Sequence, residues 1–353
     1  MQKFVVIMAG GVGSRFWPRS RKKSPKQLLN IFGQNTMIQN TVDRLDGFVE
    51  KDHIYIITNK VQKAIVEEQL PEIPSANIIA EPEGRNTAPC VGLAASIISQ
   101  KVEDAVIITL PADHLIEQKE KFVDSLQKGC EFAYKSKGLV TFGITPTRPE
   151  TGYGYINFNR NEVSGGIHEV IKFVEKPDIE KAELYLESGE YVWNSGMFIW
   201  RADTILKEMK DYLPEMISGL ESITQSEDQF EENLKAIFPR LESISIDYGI
   251  MEKSDKVYLL RGEFDWNDVG SWESVYELSE KSENGNVKIG DVFTEKCNNS
   301  YVFSPNKFSA VIGADDFIII NTDDALLVCK RGQTQDVKNV VNYLNDSNRN
   351  NLV

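Results

Sequence analysis

Phe4-Val5-Val6-Ile7-Met8-Ala9-Gly10-Gly11-Val12-Gly13-Ser14-Arg15-Phe16-Trp17-Pro18-Arg19-Ser20-Arg21 decides the fold of this chain. The uninterrupted apolar run at 4–8 reads as a short strand covered on both faces, as strands of a parallel sheet are. The glycines after it let the chain turn while backbone N–H groups converge on one point, the way a phosphate is cradled. Open parallel sheets take their ligands at that end of the strands. Two familiar loops fail the comparison. The dinucleotide fingerprint GxGxxG needs glycine where Phe16 stands, and the pattern GxxxxGK[ST] is absent.

Outward from this stretch the pattern repeats. Strands are expected at 54–58, 77–80, 105–110 and 139–144, with helical periods between them at 36–45, 61–69, 87–99 and 122–134. Past Tyr153 come paired strands at 155–158 and 169–175, a further strand at 197–201, and a helical region over 203–238. The polar, turn-prone stretch 280–290 marks a boundary. Beyond it, short strands at 300–304, 309–313, 317–321 and 325–330 predict a small all-β unit, β-helix-like in its close spacing, followed by a helix at 336–344 and a frayed polar tail at 345–351. The expected fold class is therefore α/β: a Rossmann-like domain with a mixed, mostly parallel sheet over 1–283, and a small C-terminal β unit over 284–353.

Composition narrows the chemistry. The chain has 353 residues, 41% hydrophobic and 26% charged, ordinary values for a globular protein. Net charge is −14, which argues against nucleic acid and acidic membranes as partners. No run approaches the roughly 18 apolar residues of a membrane span. Met1-Gln2-Lys3 enters the first strand without a signal-peptide pattern, and the four cysteines form no CxxC pair, so a reduced, cytoplasmic enzyme is expected. Against the acidic background, residues 1–42 hold seven Lys/Arg and no Asp or Glu. That segment reads as a grip for a small polyanion or as a solvated basic face. Within it Arg15 and Lys26 bracket a proline-broken loop and are placed to close on a triphosphate.

Other residues offer site chemistry on their own. Asp113 follows the apolar run 105–110, where a carboxylate either faces a ligand crevice or caps the next helix. Asp268, beside Gly270, is a second candidate carboxylate, with Asp265 as the competitor. One or two carboxylates with substrate phosphates and water suffice to hold Mg²⁺. Lys176 precedes Pro177 at the end of a β run and reads as a phosphate partner or a surface lysine. Trp193 and Trp200 read as core or pocket wall.

These segments together resemble the sugar-nucleotide pyrophosphorylases. The resemblance is carried by Gly10-Gly11-Val12-Gly13-Ser14-Arg15 with Pro25-Lys26-Gln27, by Glu81-Pro82-Glu83-Gly84-Arg85-Asn86-Thr87, and by Pro111-Ala112-Asp113-His114. It continues through Gly152-Tyr153-Gly154-Tyr155, Phe173-Val174-Glu175-Lys176-Pro177, Trp193-Asn194-Ser195-Gly196 and Asp265-Trp266-Asn267-Asp268-Val269-Gly270. The form Phe16-Trp17-Pro18-Arg19-Ser20 is similar to that of the branch acting on GTP and mannose 1-phosphate. The resemblance implies a nucleotidyl transfer releasing pyrophosphate, with Mg²⁺ on Asp113 and Asp268. It implies a nucleotide site of Ala9, Gly10, Gly11, Gly13, Ser14, Arg15, Lys26, Glu81, Arg85, Asn86, Thr87 and Asp113. Sugar contacts fall on Gly154, Glu175, Lys176 and Asn194, and Arg15, Lys26, Asp113, Lys176 and Asp268 carry the reaction. A carboxylate accepts two hydrogen bonds from guanine N1–H and N2–H₂, so Glu81 is the expected base reader. His114 serves positioning, because an ionised sugar phosphate needs no general base. A homodimer is expected, and no isomerase activity, since 305–344 lacks a clustered-histidine motif. The rivals are a transferase for another base or hexose, an inactive nucleotide-sugar-binding subunit, which intact Arg15, Lys26, Asp113 and Asp268 oppose, and a nicotinamide-dependent oxidoreductase, which the missing glycine opposes.

Overall fold

The computed structural model describes residues 1–353. The chain forms two compact units, one of Met1–Gly10, Val42–Ala112 and Ile116–Trp266, the other of Gly11–Thr41, Asp113–Leu115 and Asn267–Val353.

The first unit is built on a nine-stranded sheet. Its strands are β1 (Lys3–Met8), β2 (Ile54–Asn59), β3 (Ile78–Glu81), β4 (Val106–Pro111), β5 (Leu139–Ile144), β6 (Tyr155–Ser164), β7 (Ile167–Val174), β8 (Tyr191–Arg201) and β9 (Val257–Arg261), in the order β3-β2-β1-β4-β8-β5-β9-β7-β6. The pairings are parallel through β3-β2-β1-β4 and at β5-β9, while β7 and β8 run against their neighbours. The sheet is thus mixed and mostly parallel. Phe4, Val5, Val6 and Ile7 are all buried, which is why β1 shows no polar alternation. Helices Thr87–Lys101 and Lys119–Ser136 follow β3 and β4 as crossover connections.

Several boundaries differ from expectation. β8 begins at Tyr191, not 197, because its first half carries Asn194, Ser195 and Gly196 in an irregular pairing with β5 that hides any strand period. The region 203–238 is three helices, Ala202–Tyr212, Pro214–Thr224 and Phe230–Ile237, interrupted at Pro214 and at a polar turn. β9 is only five residues long and escapes periodicity altogether.

The second unit coils β10 (Val287–Glu295), β11 (Tyr301–Ile312) and β12 (Phe317–Asn321) in parallel, with β13 (Leu326–Lys330) antiparallel on β12. β10 starts inside the stretch read as a boundary, and the strands expected at 300–304 and 309–313 are one long strand bent after Ser304. Val287, Tyr301 and Ile318 stack in register and pack with Phe16, Trp17, Trp272 and Leu344 in a single apolar core. Polar rungs close the turns: Ser300 N donates to Asn286 Oδ1 at 3.0 Å, and Phe317 N donates to Ser300 Oγ at 3.1 Å. The tail is not frayed, because Leu352 is buried and its carbonyl accepts from Trp17 Nε1 at 2.8 Å.

Candidate active site

In the second unit a cleft of about 270 Å³ is lined by Gly13, Ser14, Arg15 and Lys26 on one side and by Asp113, His114, Asp268 and Gly270 on the other. Local rules build each wall. Gly13 has φ 61°, and a Cβ there would lie 2.8 Å from Lys26 Cβ and 2.9 Å from Lys26 N, so only glycine fits. Gln27 Nε2 donates to Gly11 O at 2.9 Å and ties the two limbs of the loop. On the other wall, Leu115 and Asn267 exchange backbone hydrogen bonds of 2.8 and 3.0 Å, which brings Asp113 and Asp268 to one place although 155 residues separate them (268 − 113). The Asn267 side chain accepts from Val269 N at 2.7 Å and helps hold Val269 at φ 48°. A β-branched residue with positive φ is strained, and its complete burial against Trp272 keeps it there.

Lys26 is the centre of the cleft. It is 4% exposed, and its ammonium donates to Asp113 Oδ2 at 2.9 Å and to Asp268 O at 2.5 Å. Burial pushes the Asp113 carboxyl up, but the Lys26 charge, His114 and the Lys26 hydrogen bond outweigh it and hold it below the usual carboxylate value. Asp113, with 35% of its side chain open, therefore stays ionised over the physiological range. Asp113 and Asp268 are oxygen donors on one cleft wall, a set that fits Mg²⁺ with its retained waters. Asp265 is exposed and does not line the cleft.

The rest of the basic segment does something else, a correction to the picture of one cationic grip. Arg21 pairs with Asp324 at 2.9 Å, Lys22 donates to Asn345 Oδ1 at 3.0 Å, and Arg19 stacks over Phe303 at 4.4 Å while donating to Asn30 Oδ1 at 2.7 Å. Trp272 Nε1 donates to Trp17 O at 3.1 Å. These residues anchor the loop to the coiled strands and the helix Val337–Asp346 of the same unit, leaving Arg15 and Lys26 in the cleft.

In the first unit, Glu81 ends β3 at 5% exposure with Oε1 buried and unpartnered, and burial pushes its carboxyl up to about 8. A Cβ on Gly10 would lie 3.6 Å from Glu81 Oε2. Ala9 N donates to Ile57 O at 2.8 Å, a structural use. Asn86, at φ 66°, caps the helix Thr87–Lys101 by accepting from Thr87 N, Thr87 Oγ1 accepts from Ile246 N at 2.8 Å, and Arg85 pairs with Glu83 at 3.2 Å. Asn86 and Thr87 thus shape the backbone after Glu81, and Arg85 Nε is buried without a partner.

The expected sugar residues converge elsewhere in that unit. Glu175 Oε2 occupies the space where a Gly154 side chain would begin, 2.5 Å from its ideal Cβ, so Gly154 makes room for a carboxylate. Glu175 Oε1 pairs with Lys176 Nζ at 2.6 Å, and Lys176 is held at φ 43°. Asn194 N donates to Gly154 O at 2.8 Å. Sequence reading missed two members. Thr141 Oγ1 lies 3.2 Å from Asn194 Oδ1, and Asp247 Oδ1 accepts from Asn194 Nδ2 at 2.9 Å. Asp247 opens a π-helical turn, Asp247–Met251, a local irregularity that is frequent at functional sites, and nothing in the sequence around it marks it.

Comparison with known proteins accords with this geometry. The family described as nucleotidyl transferase matches residues 4–285, and that described as MannoseP isomerase/GMP-like beta-helix domain matches 294–344. A Klebsiella pneumoniae protein named mannose-1-phosphate guanylyltransferase is 42% identical over 98% of this chain and 74% of its own length. One of the same name from Escherichia coli strain K12 is 41% identical over 98% and 74%. Among solved structures, a Thermus thermophilus protein described as mannose-1-phosphate geranyltransferase superposes with a TM-score of 0.89 at 30% identity, covering 98% of this chain and all of that one.

Proposed function

The chain belongs to the nucleotidyl transferase family, and from that premise we propose the reaction and the part each residue plays in it. GMP passes from GTP to α-D-mannose 1-phosphate, giving GDP-mannose and pyrophosphate. A phosphate oxygen of the sugar phosphate bonds to the α-phosphorus as the bond to the bridging oxygen of the β-phosphate breaks, and pyrophosphate leaves with that electron pair. The attacking oxygen is already ionised, so no general base is needed. Alignment and charge neutralisation do the work.

Lys26 carries this reading. Its ammonium is fixed before substrate arrives, so it meets charge on the α-phosphoryl group without reorganisation. Arg15 takes the β- and γ-phosphates with the N–H groups around Gly11 and Gly13. Asp113 and Asp268 would hold Mg²⁺, which when bound supplies further positive charge to the phosphate oxygens. Lys176 pairs with the sugar phosphate, while Gly154, Glu175 and Asn194 meet the sugar hydroxyls. Glu81 reads guanine, because a buried carboxylate lacking a partner at Oε1 is matched by a ligand edge with two N–H donors.

The test is pyrophosphate release from four nucleoside triphosphates against several hexose 1-phosphates, with and without Mg²⁺. Turnover with GTP and mannose 1-phosphate, dependent on the ion, is expected. Turnover confined to another pair overturns the substrates, and silence with every pair favours a binding subunit.

The finer organisation we propose is a catalytic domain over 1–283 and a β domain over 284–353, supported by family matches ending at 285 and starting at 294. A cytoplasmic homodimer completes the reading. Exposed Phe293, Phe308, Ile312, Leu326 and Val328 on the β domain's strands support a self-association surface. No helix is long and apolar enough to cross a membrane.

A further inference from the structure

The orientation of the Asn194 amide is decided by its neighbours. Gly196 N is a donor, so the atom 3.1 Å from it is Oδ1, and the Thr141 hydroxyl reaches the same oxygen. Nδ2 then faces the Asp247 carboxylate at 2.9 Å. Gly196 N engages the oxygen, the Thr141 hydroxyl is shared between it and Met197 O at 3.2 Å each, and one amide hydrogen is spent on Asp247, which leaves a single N–H. Asp247 is itself fixed: Glu252 N closes the π-helical turn onto Asp247 O at 2.9 Å, and Ile246 N is tied to Thr87 Oγ1 at 2.8 Å.

We infer that Asp247 is a positioning residue for the hexose. It locks the Asn194 amide so that the remaining N–H is presented, beside Glu175, to a sugar hydroxyl. The inference rests on the reading that Gly154, Glu175 and Asn194 meet the sugar.

The arrangement is costly for folding alone. Burial, together with the Glu175 charge, pushes the Asp247 carboxyl up to about 6, while the Asn194 hydrogen bond, its own backbone and Lys176 pull it back. Glu252, also raised by burial and by Glu175, adds to the crowding of acids. Close carboxylates with only Lys176 and Lys253 to offset them are weak stabilisers of a fold, and they are common where a polar ligand is to be gripped.

Steady-state kinetics on the full chain separates the possibilities. Asp247→Ala and Asn194→Ala should each raise KM for mannose 1-phosphate up to about tenfold, the upper end of the worth of one neutral hydrogen bond. KM for GTP should stay within about twofold. The double variant should be no worse than either single one, because both remove the same N–H. Asp247→Asn keeps an oxygen opposite Nδ2 and should restore KM to within about threefold of the parent. Additive losses, an equal rise in both KM values, or an Asp247→Asn as poor as Asp247→Ala each overturn the inference. If Asp247→Ala does not fold by circular dichroism, Asp247→Val, which also removes the acceptor, carries the same expectations. If the parent protein turns over another hexose 1-phosphate instead, the proposed substrate falls and the cycle is run with that sugar.

Discussion

The cleft around Lys26 and the cluster around Asn194 are both made of carboxylates and lysines, yet they are poised in opposite senses. In the cleft, Lys26 is 4% exposed and holds Asp113 ionised. In the cluster, Glu175 is nearly buried while Lys176 lies mostly in solvent, and Asp247 is pushed towards its protonated form. Burying the cation favours phosphate chemistry, because fixed positive charge meets charge that develops in the reaction. Burying the acids favours a polyol, whose hydroxyls donate to carboxylate oxygens. On the proposed reading, the same residue types serve different ligands according to which partner is kept from water.

The contrast can be broken by substitution. Lys26→Ala should lower kcat by about a thousandfold, the scale of losing one preorganised transition-state partner; Lys176→Ala should act mainly on KM for the sugar phosphate. Equal effects on kcat from both lysines would erase the distinction. Gly13→Ala and Gly154→Ala sharpen it next. The first forces a side chain into a left-handed turn against the Lys26 backbone and should destabilise the protein by about 2 kcal/mol, seen as a fall in Tm, with a large loss of kcat. The second displaces Glu175 and should raise KM for the sugar phosphate with little change for GTP.

Glu81 gives a smaller effect that depends on pH. Its folded pKa, about 8, lies above the unfolded value near 4.5, so the folded state binds more protons between those limits and stability falls as pH rises through them. Glu81→Gln should melt higher than the parent at pH 8, and the gap should close below about pH 4.5. Guanine needs the ionised form, so KM for GTP should climb as pH drops from about 8 to about 6 in the parent and be flatter and higher in the variant. Smallest of all, Trp17→Phe loses one buried hydrogen bond to Leu352 O and should cost about 1 kcal/mol in denaturant unfolding.

Much of this was legible in the sequence. Buried parallel strands are uniformly apolar, so β1, β2, β4 and β5 announce themselves, and the turn chemistry of Gly13 points to the loop. Arg15, Lys26, Asp113 and Asp268, which line one cleft, were picked out by the motifs that carry the resemblance, and Asp113 also by its place after a strand. Asp247 was not, since its meaning lies in a contact with Asn194, 53 positions away, and a lone acid in an unassigned stretch carries no period or motif. Whether Arg19, Arg21 and Lys22 belong to a polyanion grip or a solvated face stays open in the sequence, because charge composition says nothing about Phe303, Asp324 or Asn345, which engage them. β9 and the start of β10 were hidden by brevity and by polar outward-facing residues.

The bond from Trp17 to Leu352 spans 335 positions. At roughly 5–20 residues per second, a ribosome needs on the order of 15 to 70 seconds to make that interval. During that time the loop that will carry Arg15 and Lys26 exists without Trp272, the coiled strands or the Leu352 carbonyl that anchor it. The frame is therefore completed late in synthesis, and a nascent chain stalled before residue 352 holds Arg15, Lys26, Asp113 and Asp268 without the last contact that fixes the loop.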